Sequence, residues 1–343
     1  MWIFWLHPLR GLAALGIVFL HSYWTWHYFD SSTLRKFYLF VDFFFVLSGF
    51  VISSGYSERL NTIDGTILFF RQRFRRLSFQ FYLSGAVWLA TGLAVAKYGF
   101  DTNSLYAALR YFFFVDIFFE EGQNRVNPVA WSVMTELWVY FFFGAVALLI
   151  QDRFRRATLF LLIAVAGAIT LGETRGDLNI LYGIDSVIRS GAGFFFGSFC
   201  WYIFSSIRSS PFTGFVFAVA LAAVSGVALV SENLDILSIP AAGFIIFIFA
   251  SLSEPRNGAI RSFLYWLGDI SYPLYLWHFI AGVAIAKIIE KYHPGDPTYF
   301  NGEKFATLPP DTGFFYCVVL IVSSVTLSVL SLKLERRFKK VSK

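Results

Sequence analysis

The sequence predicts an all-α, polytopic membrane protein, a bundle of about ten transmembrane helices that forms one domain over residues 1–343. Hydrophobic residues make up 57% of the chain and charged residues only 15%, compared with about 45–50% and about 25% in soluble domains. The apolar residues form runs of roughly 17–25 residues, the length of a helix that crosses a bilayer. These long runs, without strand-like alternation, favour helices over a β-barrel, because a helix pairs its own backbone polar groups in lipid.

Ten apolar runs are predicted to span the membrane. They lie at 9–29, 37–56, 78–96, 131–150, 157–172, 186–206, 212–231, 236–252, 265–289 and 314–334. Residues 104–120 are also apolar but contain Arg110 and Asp116. A full span there would place the basic segment 152–156 outside, so we expect an interfacial or re-entrant helix buried against protein.

The basic residues cluster at helix ends and predict that both termini lie in the cytoplasm. With that orientation the inner side receives the arginines of 71–76, the basic segment 152–156 and the C-terminal tail 333–343, in agreement with the positive-inside rule. The net charge of +6 is therefore attributed to membrane topology rather than to binding of nucleic acid. Neither the two cysteines nor any His, Asp or Glu spacing predicts a disulfide framework or a metal site.

The first span, LRGLAALGIVFLHSYW, carries Arg10 and His21. Eleven residues at about 100° each make three turns plus roughly 20°, so the two side chains share a helix face about 16 Å apart. A neutral histidine accepts a proton at physiological pH, which suits a general base for a hydroxyl nucleophile. The alternatives are an interfacial anchor for Arg10 and a histidine bonded to a neighbouring helix for His21.

The second span, VDFFFVLSGFVI, carries Asp42. This residue is either an acidic side chain at the membrane interface or a partner that orients a histidine such as His21. Ser48 and Gly49 are typical of close packing between helices, which we favour over a nucleophile role for Ser48.

The fourth span opens NPVAWSVMTELW. Asn127 followed by Pro128 predicts a helix start, with the asparagine as cap and the proline at the first position. Glu136 then lies about two turns inside, where a carboxylate needs a partner or a wet cavity. Trp131 and Trp138 are by default aromatics of the membrane interface.

Two further segments carry candidate residues. Near the C-terminus, in GDISYPLYLWHFI, Pro273 is expected near a helix start. Tyr275 and His278 are three residues apart and share a helix face, so they either face the cavity of His21 or satisfy each other. In FFRQRFRRLSFQFY, Arg73 and Arg76 belong to a basic run that is either a topological anchor or a phosphate-binding patch.

Together these segments resemble the acyltransferase 3 family of bacterial membrane acyltransferases. The Arg-X10-His first helix, the VDFFFVLSGF block, the WSVMTE block and the terminal SYPLYLWH occur in the family's order and cover nearly the whole chain. The resemblance marks Arg10 and His21 as essential and suggests roles for Arg73, Arg76 and Glu136. The arginine motif departs from the usual Arg-Ile-x-Pro-x-Tyr, because LSFQF follows Arg76 here.

The resemblance implies an enzyme of the bacterial inner membrane that transfers an acyl group, usually acetyl, from cytosolic acyl-coenzyme A to a hydroxyl of an extracytoplasmic glycan. No permanently bound cofactor is expected. On this hypothesis the coenzyme A phosphates bind Arg73 and Arg76, the pantetheine arm passes Arg10, and His21 takes the proton of the acceptor hydroxyl. Glu136 and Asp42 orient groups on the acceptor side, with Trp131, Tyr275 and His278 in support.

Two other classes of protein stay open at this point. Intramembrane charges also mark transport paths, so a transporter or flippase of a lipid-linked glycan or acyl donor is the main alternative. A membrane scaffold or sensor without chemistry is the third, although it has little reason to carry ionisable residues in apolar helices.

Overall fold

A computed structural model describes residues 3–22, 34–94, 102–119, 126–207, 233–293, 297–300, 303–306 and 308–341. These ranges contain ten α-helices: α1 Leu6–Leu20, α2 Phe40–Tyr56, α3 Ile63–Ala94, α4 Thr102–Phe112, α5 Trp131–Leu149, α6 Arg153–Thr174, α7 Gly183–Ile207, α8 Ser238–Ser251, α9 Gly258–Tyr292 and α10 Pro310–Val341. Short 3-10 helices occur at Lys36–Leu39, Asp116–Phe118, Pro128–Ala130 and Leu234–Leu237. Two short strands, β1 Pro297–Phe300 and β2 Glu303–Ala306, pair as an antiparallel hairpin.

The predicted all-α class is confirmed, and the chain is a multi-pass membrane protein. Among the described residues, seven helices are long and apolar enough to cross a bilayer: α2 with its preceding 3-10 turn, and α5 to α10. Helix α1 is apolar but shorter. The predicted span 212–231 lies outside the described residues, and the number of ten spans and the orientation of the termini stay predictions.

Several helices differ from their predicted bounds, and α1 ends at Leu20 although the predicted span continued to residue 29. Helix α3 begins at Ile63, well before the predicted start at residue 78, because the intervening arginines are good helix formers and no proline interrupts them. Helix α9 extends over 35 residues and contains Pro273 in its interior. The expectation that Pro273 lies near a helix start was therefore wrong. Proline is tolerated inside membrane helices, where neighbouring helices can satisfy the backbone group it releases.

The centre of the bundle is the close contact between α2 and α7. A Cβ atom added at Gly49 would lie 1.8 Å from the carbonyl oxygen of Phe194, and one at Gly197 would lie 1.8 Å from that of Val46. Only glycine fits at these two positions, so the small-residue packing predicted for Gly49 is confirmed. Helix α7 is also the most enclosed of the seven candidate spans, with 89% of its apolar window buried.

Helix α4 does not span the membrane. Its 11 residues make a helix of about 16 Å, against a hydrocarbon core of about 30 Å. The chain then turns at Phe114, which has a φ of 59°, and the rings of Tyr111 and Phe114 stack on Phe81 of α3. The two charges that made this segment ambiguous pair with each other, since Arg110 Nε donates to Asp116 Oδ1 at 3.0 Å. One side of the segment therefore packs against protein as expected, whereas Leu105, Tyr106, Phe112 and Phe113 are exposed.

Candidate active site

Polar side chains from α1, α2, α3, α5 and α9 form a continuous column between the helices of the bundle, which begins at the exposed Arg76 and which we call the polar column. Each member interacts with the next through a hydrogen bond, a ring contact or an electrostatic interaction. From one end to the other its members are Arg73 and Arg76, then Arg10, then Ser48, Glu136 and Tyr140, then Ser132 and Tyr275, and finally His278 and His21. The column contains seven of the nine candidate site residues, and the other two, Asp42 and Trp131, lie outside it.

 

The arginine end of the column carries an excess of positive charge. The Arg10 guanidinium interacts electrostatically with Arg76 and Arg73 and with the carboxylate of Glu136. Arg73 donates from Nη2 to Tyr56 Oη at 2.7 Å and lies 4.6 Å over the same ring, while its buried Nε has no hydrogen-bond partner. A buried N–H without a partner is costly, and guanidinium groups bind phosphates well. This end of the column therefore suits an anionic ligand.

A second carboxylate lies beside the arginine end. Asp269 on α9 is 3.1 Å from His7 Nε2 and accepts a hydrogen bond from Arg336 at 3.3 Å. His7 in turn interacts electrostatically with Arg10 and Arg76. Because Asp269 already has these two partners, it leaves the positive charge of the three column arginines only partly balanced.

Glu136 lies in the middle of the column. Its Oε1 accepts hydrogen bonds from the Ser48 hydroxyl and, at 2.6 Å, from the Tyr140 hydroxyl, and these two hydroxyls are 3.2 Å apart. Its carboxylate interacts with Arg10 on one side and with Tyr275 on the other. Glu136 thus lies between the two ends of the column, and its expected role on the acceptor side stays a prediction. Ser48 is a hydrogen-bond donor to this carboxylate, whereas the close packing is made by its neighbour Gly49.

Tyr275 connects the middle of the column to its histidine end. Its hydroxyl accepts a hydrogen bond from Ser132 at 2.8 Å and donates to the Val129 carbonyl at 2.7 Å. Its ring centroid lies 5.9 Å from that of His278. Tyr275 therefore holds the start of α5 against α9 and forms part of the wall next to His278.

His21 and His278 form a pair at the other end. His21 is the C-cap of α1, where its backbone N–H donates to the carbonyls of Ile17 and Val18. Its Nδ1 lies 3.1 Å from Nε2 of His278, and the ring centroids are 4.9 Å apart. His278 is fully buried and His21 is half-buried. Of the two alternatives for His278, the structure therefore agrees with a position beside His21.

Asp42 does not contact the histidines as proposed. It is fully buried and accepts two hydrogen bonds from Arg189 of α7, from Nε at 2.8 Å and from Nη2 at 2.6 Å. The same guanidinium lies 5.2 Å over the ring of Trp131 and 5.5 Å over that of Tyr38. The expected partnership of Asp42 with His21 was wrong, because a buried carboxylate is best compensated by a bidentate arginine. Trp131 is likewise buried, with its ring against this pair.

Two residues with clear roles in these contacts, Arg189 and Tyr140, were not identified from the sequence. The sequence contains a signal for Arg189, because an arginine inside a predicted span needs a buried acidic partner. Tyr140 is four residues from Glu136 on one helix face, which also predicts a contact. Asn127 was expected to cap a helix. It precedes the 3-10 helix with a φ of 42°, and its side chain makes no cap hydrogen bond. The side-chain amide instead donates to Ser84 and to the Leu276 carbonyl.

Comparison with known proteins decides the family. The sequence profile described as "Acyltransferase domain" matches residues 3–329. The chain belongs to the acyltransferase 3 family. This acyltransferase is 27% identical over 261 residues to the "Exopolysaccharide production protein ExoZ" of Rhizobium meliloti (strain 1021), an alignment that covers 72% of the chain and 77% of the relative. It is 36% identical over 100 residues to "Protein 2 in picA locus" of Rhizobium radiobacter, covering 28% and 49% of the two chains. No solved structure matches it significantly.

The family and the fold together establish a multi-pass membrane acyltransferase. Within it, the polar column joins a cationic end to an end with two imidazole rings. Such an arrangement can bind an anionic group at one end and exchange a proton at the other.

Proposed function

We propose that this acyltransferase transfers an acyl group, with acetyl as the first candidate, from acyl-coenzyme A to a hydroxyl of a glycan. The observation that carries the proposal is the polar column, in which Arg10 and His21 of one helix face two different polar environments. The printed name of the rhizobial relative, an exopolysaccharide production protein, supports a polysaccharide acceptor. The donor is proposed to enter from the cytoplasm and the acceptor from the other side of the bacterial inner membrane, in agreement with the distribution of arginines.

The arginine end is proposed to bind the phosphates of coenzyme A. Arg10, Arg73 and Arg76 supply the positive charge, and the unpartnered Nε of Arg73 supplies a donor. The rise from Arg10 to His21 along a helix is about 16 Å, so an extended thiol arm bound at the arginines is directed towards the histidines. Glu136, held by Ser48 and Tyr140, is a positioning residue that balances the charge of Arg10 midway along this path.

The histidine end is proposed to carry out the proton transfer. His21 takes the proton of the acceptor hydroxyl, and the hydroxyl oxygen attacks the thioester carbonyl. The carbon–sulfur bond then breaks, and the thiolate leaves with the proton that His21 had accepted. The products are an ester on the acceptor and free coenzyme A. A positioned general base of this kind contributes about 10²–10⁴-fold to the rate.

The proposal is tested with purified protein in lipid nanodiscs, labelled acetyl-coenzyme A and a bacterial exopolysaccharide as acceptor. We expect labelled ester in the wild type and a loss of about 10²–10⁴-fold in His21→Ala. His293→Ala is the matched control, because His293 caps the end of α9 and contacts Tyr316 outside the column. Full activity of a normally expressed His21→Ala would remove the general base from the proposal. Translocation of a labelled lipid-linked glycan without ester formation would instead favour the transporter alternative.

A further inference from the structure

We propose that His278 is the positioning residue of His21: together with the Ile17 carbonyl it fixes which nitrogen of His21 carries the proton, and it shares the positive charge that forms during transfer. The proposal rests on the proposed function, because it assigns a partner to the same base. It is carried by the geometry of the two rings and of the backbone carbonyls beside them.

The neighbouring carbonyls determine the tautomers of both neutral rings. His278 Nδ1 lies 3.2 Å from the carbonyl oxygen of Leu274, and His21 Nδ1 lies 2.9 Å from that of Ile17. A carbonyl oxygen only accepts hydrogen bonds, so each Nδ1 is assigned the proton. Nε2 of His278 then carries a lone pair and accepts from His21 Nδ1–H at 3.1 Å, a bond shared with the Ile17 carbonyl. The lone pair of His21 is consequently on Nε2, the nitrogen assigned to proton transfer.

The His278 ring is held by its surroundings. It is fully buried, with the ring of Tyr275 at 5.9 Å and that of Phe279 at 6.5 Å. Phe279 also contacts His21 edge-on at 5.3 Å and stacks on Trp88 of α3 at 5.6 Å. A catalytic group is effective when the rotamer of its partner is fixed by packing of this kind.

The pair also provides a place for the transferred proton. When His21 Nε2 takes the hydroxyl proton, the ring becomes an imidazolium and its Nδ1–H bond to His278 Nε2 strengthens. The positive charge is then shared between the two rings, and the proton on Nε2 of His21 passes to the departing thiolate. No proton is lost or gained over the cycle. A base oriented by a third group is a general feature of activated nucleophiles.

Two amide variants separate positioning from structure. In His278→Gln the side chain is long enough to place an oxygen near the position of Nε2, where it accepts from His21. In His278→Asn the amide reaches only the position of Nδ1, so it retains the bond to the Leu274 carbonyl but not the bond to His21. Both variants replace the ring by an uncharged amide. If His278 had only a structural role, the asparagine variant, which keeps the bond to the Leu274 carbonyl, would have a kcat at least equal to that of the glutamine variant.

The measurement is kcat and KM for acetyl-coenzyme A in nanodiscs, with the thermal unfolding midpoint of each variant as the check on folding. We expect kcat of His278→Asn to fall at least about tenfold below that of His278→Gln, which is a part of the 10²–10⁴-fold that a general base contributes, while KM stays unchanged. A kcat of His278→Asn equal to or above that of His278→Gln overturns the positioning role. If that occurs while His21→Ala remains inactive, the proposed function stands and only the role of His278 is lost.

Discussion

The ion pair between Asp42 and Arg189 allows a quantitative prediction. Asp42→Asn removes the carboxylate charge and leaves the guanidinium of Arg189 buried without a counter-ion. Both side chains have 0% exposure and share two charge-assisted hydrogen bonds of 2.8 and 2.6 Å. Removing one partner of a buried pair costs about 3–5 kcal/mol. Because Arg189 keeps its bonds to the carbonyls of Ile180 and Tyr38, we expect the lower end, about 3 kcal/mol.

The assay is the free energy of unfolding in mixed detergent micelles, measured for Asp42→Asn, Arg189→Met and the double variant. Glu254→Gln is the matched control, because the pair of Glu254 with Arg261 is 42% and 57% exposed and exposed pairs contribute about 0–1 kcal/mol. We expect the double variant to lose less stability than the sum of the single variants, because the contacting residues are coupled. A loss below about 0.5 kcal/mol in Asp42→Asn, as at an ordinary surface site, would refute the assignment of a buried, energetically coupled pair.

Three further predictions concern packing and the donor end. Gly49→Ala should abolish stable folding, because its Cβ would overlap the Phe194 carbonyl, whereas Gly55→Ala, with nothing within 4 Å, should leave the yield of folded protein unchanged. Arg73→Ala should raise KM for acetyl-coenzyme A about 10–100-fold, the effect of one charge-assisted hydrogen bond, while kcat changes little. An unchanged KM would mean that Arg73 serves only membrane topology. Glu136→Gln keeps the side-chain shape and an acceptor for Ser48 and Tyr140, so we expect lower kcat with normal folding; a loss of folding would make this carboxylate structural.

The bounds of several helices follow directly from the sequence. The run at 131–150 becomes Trp131–Leu149, and that at 186–206 becomes Gly183–Ile207, because uninterrupted apolar runs have to satisfy their backbone groups as helices in lipid. The start of α3 could not be obtained in this way. Hydropathy falls at the arginines of 71–76, yet helix propensity does not, so the helix continues past the apolar segment.

The partners of charged residues were harder to predict than their positions. The sequence identifies Asp42, Glu136 and Arg10 as costly to bury, but each needs a partner that is distant in the chain. Asp42 was considered as a partner of His21, 21 residues away, whereas its partner Arg189 is 147 residues away. The packing of the helices decides which of them are neighbours. Here α2 and α7 are neighbours because Gly49 and Gly197 allow them to approach closely. Periodicity within one helix does not contain this information.

The two groups of intramembrane charges differ in a way that separates structure from chemistry. Asp42 and Arg189 have no accessible surface, and each guanidinium nitrogen of Arg189 has an acceptor. Such a pair is satisfied in the resting protein and has no capacity left for a ligand. Arg10, Glu136, Arg73 and His21 instead keep part of their surface accessible although they lie among the helices of the bundle. Their charges are only partly balanced, and Arg73 Nε lacks a partner. Since an unsatisfied buried polar group is costly, its retention is best explained by a ligand that completes it, which is why we assign the chemistry to the polar column and not to the ion pair.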